Sequence, residues 1–297
     1  MPSSSRLAAA CVAALFVSTA AQAEWVPGKR MNTAVTRMLG KAKDIMEKTE
    51  DLYFADDTCI FAGFIAENES MTLTRRLNGG ETYVFLGGGD NNAKDVDLEL
   101  TNANDEVVGK DTDEDPNPVI KFKPKKDGVY AIKIKLEESK DSKSGSFTAL
   151  VVLSTKGYNV PIDNLGKALG TLSARAENIC TKVEAMDKDL YFNSGNGTIA
   201  LFGAVIPKGS DLTISKMNLR QGEYVAIASA DATSKDIDLY VLDSENKVYK
   251  KDEDEDAAPV IPFSVAKQGS RAGLRVKNTD SKGPSFCMFA LLKIVPQ

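Results

Sequence analysis

The sequence predicts a mainly β protein: two tandem antiparallel β-sandwiches, each preceded by an amphipathic α-helix. Three observations predict it. A long stretch recurs once, displaced by 141 residues. Each copy opens with an apolar stripe at helical spacing. Each then runs through about eight short strands with no helix between them, the pattern of an antiparallel sandwich.

The repeat is explicit. Lys94-Asp95-Val96-Asp97-Leu98 returns as Lys235-Asp236-Ile237-Asp238-Leu239. Lys110 to Asp115 returns as Lys251 to Asp256, Pro118-Val119-Ile120 as Pro259-Val260-Ile261, and Phe122 as Phe263. Tyr83 maps onto Tyr224 and Gly128 onto Gly269, while Leu52-Tyr53-Phe54 returns as Leu190-Tyr191-Phe192 with a shift of 138. Two copies are too few for a solenoid and each is of domain size. The units are residues 24–155 and 156–297, with Tyr158 to Pro161 expected to form an accessible linker.

In the first unit Val35, Met38, Leu39, Ala42, Ile45 and Met46 make one helical stripe, with Asn32 or Thr33 as its expected cap. In the second, Leu165, Leu169, Leu172, Ala176, Ile179 and Val183 do the same, with Asp163 as the cap. Such a stripe serves either its own domain's core or pairing with another copy. The first unit's strands are expected at 59–66, 71–77, 82–86, 96–100, 106–108, 119–122, 129–136 and 147–153. The second unit's are expected at 198–206, 212–219, 224–228, 237–242, 247–250, 260–265, 273–276 and 286–294. Tyr130, Ile132, Ile134 and Leu136 alternate with Ala131, Lys133 and Lys135, a half-buried strand. Turn signals such as Gly79-Gly80, Asn102 to Asp105 and Lys126-Asp127-Gly128 separate the runs.

The first 23 residues have the form of a secretory signal peptide. Arg6 is the positive end, Leu7 to Ala20 the apolar run, and Ala21-Gln22-Ala23 the cleavage site, so the exported chain would begin at Glu24. The expected compartment is the periplasm or the cell exterior. No later segment reaches the roughly 20 apolar residues of a membrane span. Cleavage removes Cys11 and leaves Cys59, Cys180 and Cys287, an odd number that excludes a disulfide framework. One bridge remains open, but small buried hydrophobes are the plainer reading.

Composition excludes several functions. The chain has no histidine, which removes Ser–His, Cys–His and His-metal chemistry. Its formal charge is −5 with no basic face, a poor match to nucleic acid. There is no G-x-S-x-G elbow or P-loop, and Gly87-Gly88-Gly89 follows a strand without opening a helix. A hydrolase would have to work with carboxylates, one of them held in an apolar pocket, and nothing in the sequence supplies that pocket.

The one constellation that recurs is acidic. Asp95 and Asp97 lie on one face of a strand. A tight turn at 102–105 would set them beside Asp111, Asp113 and Asp115. Asp236, Asp238, Asp252, Asp254 and Asp256 repeat the arrangement. Converging carboxylates repel unless a cation sits among them, and calcium takes 6–8 oxygens in flexible geometry. These ten residues are the candidate calcium ligands. The alternative is a solvated acidic turn relieved by Lys94, Lys110, Lys235, Lys250 and Lys251.

Asp236-Ile237-Asp238-Leu239-Tyr240-Val241, the turn Ser244-Glu245-Asn246, the acidic loop, Pro259-Val260-Ile261 and Gly269 together resemble the bacterial pre-peptidase C-terminal domain. The first unit offers Asp95-Val96-Asp97-Leu98-Glu99-Leu100 and the family's G-x-Y as Gly128-Val129-Tyr130; the second has Gly269-Ser270-Arg271 there. The resemblance covers about 95 residues of each unit and leaves out the helices. It implies a jelly-roll-like sandwich, export and an accessory role, with relatives among collagen-binding domains of secreted proteases, some calcium-binding. No peptidase domain accompanies it here. The functional expectation is an exported non-enzymatic binding or adhesion module for a protein or glycan. The alternatives are a structural subunit of an envelope or extracellular assembly, paired through the helices, and a carboxylate-dependent hydrolase.

Overall fold

The structure is a computed structural model and describes residues 26–193, 198–267 and 270–297. The expected leader, its cleavage site, Glu24 and Gly269 lie outside the described residues. The chain runs α1 (Val26–Lys48), β1 (Tyr53–Phe54), β2 (Thr58–Ile65), β3 (Ser70–Leu77), β4 (Tyr83–Gly89), β5 (Ala93–Asn102), β6 (Val107–Asp111), β7 (Val119–Phe122), β8 (Gly128–Ser139) and β9 (Ser146–Ser154). The second unit follows with α2 (Ile162–Glu184), β10 (Lys188–Phe192), β11 (Leu201–Ile206), β12 (Asp211–Leu219), β13 (Gly222–Ala230), β14 (Ser234–Leu242), β15 (Val248–Asp252), β16 (Val260–Val265), β17 (Ser270–Ser281) and β18 (Ser285–Pro296).

Strand order establishes the jelly roll. Numbered within the first unit from β2, one sheet runs β2-β9-β4-β7, or 1-8-3-6, and the other runs β3-β8-β5-β6, or 2-7-4-5. The second unit repeats both orders as β11-β18-β13-β16 and β12-β17-β14-β15. Two interlocked Greek keys give these orders. The two-residue β1 and the five-residue β10, formed by the Leu-Tyr-Phe repeats, add to β9 and β18 and were not expected as strands.

The units are not side by side as separate bodies. β11 pairs antiparallel with β2, so the two inner sheets merge into one of ten strands. Phe202 lies opposite Phe61, its own counterpart in the repeat, which places a pseudo-twofold axis between them. Both rings are buried. The expected linker is exposed at Asn159 and Pro161 and held at its other two residues. Phe54 and Tyr158 exchange backbone hydrogen bonds of 3.1 and 2.7 Å, and Val160 is buried.

The helices cover the face of the shared sheet that the outer sheets leave open, α1 over β4 and β9 and α2 over β10, β13 and β18. Val35, Met38, Leu39 and Ala42 of α1 and Leu165, Leu169, Leu172 and Ala176 of α2 are buried there. The stripes therefore pack within the chain, the first of the two readings the sequence offered for them. The cap residues are corrected as well. α1 already runs from Val26, so Asn32 and Thr33 lie inside it, and Pro27 fits its first turn because proline's missing N–H is not needed there. Pro161 occupies the N-cap of α2, and Asp163 sits in the first turn, where a carboxylate favours the helix dipole. Gly88 explains the glycine run: a Cβ there would lie 2.2 Å from Met38 Cε. Its counterpart Ser229 instead donates to the Ala168 carbonyl of α2 at 2.8 Å. Among the described residues, no helix is long and apolar enough to cross a membrane.

Candidate functional site

Val96, Leu98 and Leu100 point into the first sandwich and are fully buried, so Asp95, Asp97 and Glu99 share the outer face of β5. The acidic loop lies beside them and carries the chain from the outer sheet to the shared one. Its carboxylates bind backbone amides. Asp111 accepts the Val119 amide at 2.7 Å and the Asp113 amide at 3.3 Å. Asp115 accepts the Asn117 amide at 2.6 Å, and its carbonyl takes the Val96 amide at 3.0 Å. The second unit matches bond for bond: Asp252 with Val260 at 2.8 Å and Asp254 at 3.3 Å, Asp256 with Ala258 at 2.6 Å, and the Asp256 carbonyl with Ile237 at 2.9 Å. Short acidic side chains that accept nearby amides set turn geometry. The helices add a second hold. Lys41 of α1 faces Asp115 electrostatically, and Arg175, at the matching place in α2, lies 3.9 Å from Asp256.

Four of the ten predicted carboxylates, Asp111, Asp115, Asp252 and Asp256, thus have a structural use in holding their loops. Asp113 and Asp254 are exposed at the loop tips. Among the described residues, no group of three carboxylates is gathered as the ligands of a calcium ion would be. Repulsion is nonetheless present. Burial, and then the charge of Asp97, raises the carboxyl pKa of Asp95 above its ordinary value. Burial and Asp238 do the same for Asp236, and burial and Glu137 for Asp97. One buried oxygen each of Asp95 and Asp236 has no hydrogen-bond partner among the described residues.

Two buried aspartates escaped the sequence reading although they too recur at 141. Asp90, at the end of β4, accepts Arg30 Nε at 2.5 Å, Ser146 Oγ at 2.7 Å, and the Asn92 and Phe147 amides at 2.8 and 3.1 Å. Arg30 also reaches the Ser144 and Gly145 carbonyls, so the ion pair clamps α1 to the β8–β9 turn. Asp231 accepts the Thr233 and Phe286 amides at 2.9 and 3.2 Å. The three described cysteines are free and buried. Burial pushes the Cys59 thiol up to about 12 and raises that of Cys287, which leaves both unreactive as thiolates.

Because the chain carries the same fold twice, residues shared by both units mark what the fold needs. Residues that differ at matched positions are candidates for a task. The outer edge of the second unit differs most visibly. β14 and β15 pair Tyr240 with Lys251, and β17 sets Arg275 on the other side of Tyr240. The matched row in the first unit is Lys133, Glu99 and Lys110, a plain alternation of charge. Arg275 Cζ lies over the Tyr240 ring, 4.4 Å from its centroid. The Tyr240 hydroxyl is 3.0 Å from Asp238 Oδ2 and 2.9 Å from Glu253 Oε1, one proton between two acceptors. Burial and those two hydrogen bonds raise its pKa. Thr279 and Lys277 also bind Asp238, and Lys251 pairs with Glu253.

Next to this row the β14–β15 ladder slips by one residue, and the extra residue is Tyr249, 55% exposed. Bulges at sheet edges commonly re-aim a side chain in this way. The same bulge in the first unit carries the half-buried Val108, followed by Gly109 where the second unit has Lys250. Lys250 reaches the Pro262 carbonyl at 2.7 Å. Between β15 and β16 lies a groove of about 500 Å³, lined among others by Lys250, Lys251, Glu253, Asp254, Val260 and Pro262.

No protein-family model matches the chain, and no curated protein matches it either. Among solved structures it is similar to a periplasmic inhibitor of g-type lysozyme from Aeromonas hydrophila, at 15% identity over 33% of this chain and 87% of that one, with a TM-score of 0.26. It is similar to tandem CBM51 modules of a family 98 glycoside hydrolase from Streptococcus pneumoniae, at 11% identity over 83% of each chain and a TM-score of 0.24. It is also similar to the CUB1-EGF-CUB2 region of human MASP-1/3, at 10% identity over 81% of this chain and 98% of that one, with a TM-score of 0.20. Likeness this distant carries no argument. The fold rests on the strand order, and the choice of surface rests on the difference between the two units.

Proposed function

We propose that the chain is an exported, non-catalytic binding module that recognises a protein or glycan through the β14–β16 edge of its second unit. The observation that carries this reading is the asymmetry of the duplicate. Among the described residues, the bulge of the second unit carries the exposed Tyr249 where the first carries the half-buried Val108, and the adjacent Lys250 and Lys251 line a groove. Tyrosine and arginine are the side chains enriched at binding surfaces. The first unit then serves as the structural partner that completes the shared sheet. The test is an array of glycans and matrix proteins probed with the chain from Glu24 onward. The double variant Tyr249→Ala with Lys250→Ala is expected to lose the signal, while Val108→Ala with Lys110→Ala keeps it. Loss in the second pair and retention in the first would refute the assignment.

A further inference from the structure

The groove and its rim also limit what kind of ligand fits, given the surface just assigned. We infer that the ligand is a short saccharide segment whose hydroxyls meet the polar groups of the groove, with the exposed ring of Tyr249, next in the chain to the groove's Lys250, as the stacking face for a neighbouring sugar. A protein partner would need about 800 Å² on each side, with an apolar centre. On this edge the large exposed apolar side chains are only Val248 and Tyr249, and they lie within a border of charge: Lys250, Lys251, Glu253 and Asp254. That is too little apolar surface to desolvate a protein epitope. The groove's chemistry is mixed rather than single-signed. Lysine donors and carboxylate acceptors stand side by side, with Val260 and Pro262 of β16 as an apolar strip at the edge of the shared sheet. Vicinal hydroxyls both donate and accept, so they can use such alternating groups, whereas a phosphate or a polycation would meet repulsion from half of them. The ring of Tyr249 adds a flat, rigid apolar face with little side-chain entropy to lose, suited to the C–H face of a sugar.

The probe is a panel of soluble neutral and acidic oligosaccharides of two to eight sugars, titrated into the ¹⁵N-labelled chain from Glu24 onward and followed by amide shifts. At least one should saturate, with shifts confined to 247–263. Tyr249→Ala should weaken it roughly tenfold, about 1.4 kcal/mol, with an unchanged melting temperature, and Val108→Ala should leave it intact. If no oligosaccharide binds while a protein on the array does so in a Tyr249-dependent way, the saccharide inference falls and the surface assignment stands. If an oligosaccharide binds but shifts residues of the first unit instead, both fall.

Discussion

Replacing Phe61 with alanine should show whether the two jelly rolls stand or fall together. Phe61 is fully buried on β2 and faces Phe202 across β2–β11, the strand pair that joins the units in the shared sheet. Removing a buried phenylalanine side chain costs about 3–5 kcal/mol. In a protein of this order of size each kcal/mol lowers the melting point by roughly 2–4 °C, so the expected drop is roughly 6–20 °C. The diagnostic is which transition moves. If the ten-stranded sheet makes the chain one cooperative body, calorimetry shows a single transition, and Phe61→Ala and Phe202→Ala displace the same one. The double variant should lose less than the sum of the singles, because directly opposed residues couple by about 0.5–3 kcal/mol. Two resolved transitions, with Phe61→Ala moving one and Phe202→Ala the other, would refute the reasoning and restore two independent domains.

Three further outcomes are expected. Asp90→Ala strands the Arg30 guanidinium and several donors, and should cost about 3–5 kcal/mol in urea unfolding, as when one member of a buried pair is deleted; a loss under 1 kcal/mol would show that water replaces the carboxylate. Asp95, Asp97 and Asp236 have folded-state pKa values raised by burial and like charge, so the folded form binds their protons more tightly than the unfolded chain. Their contribution to stability is therefore greatest at acid pH and is lost as pH rises through those raised values; Asp95→Asn with Asp236→Asn should raise the melting point at pH 7, with the gain shrinking on acidification, and a gain that grows in acid would contradict the sign. Melting in millimolar calcium and in sodium chloride of equal ionic strength should give the same midpoint, since Asp111 and Asp252 already hold loop amides; a calcium-specific rise abolished by Asp97→Asn with Asp238→Asn would establish the ion site instead.

Much of the fold could be read from the residues. The strands at 119–122 and 260–265 match residue for residue, and all the others differ at their ends: β4 and β13 run on through the buried small residues 87–89 and 229–230, β11 begins later than expected, and β17 spans Ser270–Ser281 against the expected 273–276. The layering was also present in the sequence but harder to see. β2, β4, β9, β11, β13 and β18 are apolar on both faces over most of their length, because helices cover one side and an outer sheet the other. β5 and β8 alternate because solvent takes one face. The union of β2 with β11 was not readable, since an apolar run does not say whose strand lies beside it. The acidic clusters were located but not explained: spacing brings Asp111 and Asp115 near Asp95, yet only atomic positions show that backbone amides occupy them. The contrasts Glu99 with Tyr240 and Val108 with Tyr249 are visible at the 141 shift, but a sequence difference alone does not show that Tyr249 stands on a bulge and is exposed.

The axis between Phe61 and Phe202 has an evolutionary consequence. In a symmetric homodimer one gene writes both subunits, so a change that improves a surface on one is imposed on the other, and a change at the axis is felt twice. A chain holding both halves escapes that constraint. One half can keep the residues that close the joint sheet, while the other accumulates an aromatic bulge, a stacked arginine and extra charge at its rim without paying for them in duplicate. The two copies differ in this way at Glu99 against Tyr240 and Val108 against Tyr249, while both keep the strands that close the joint sheet.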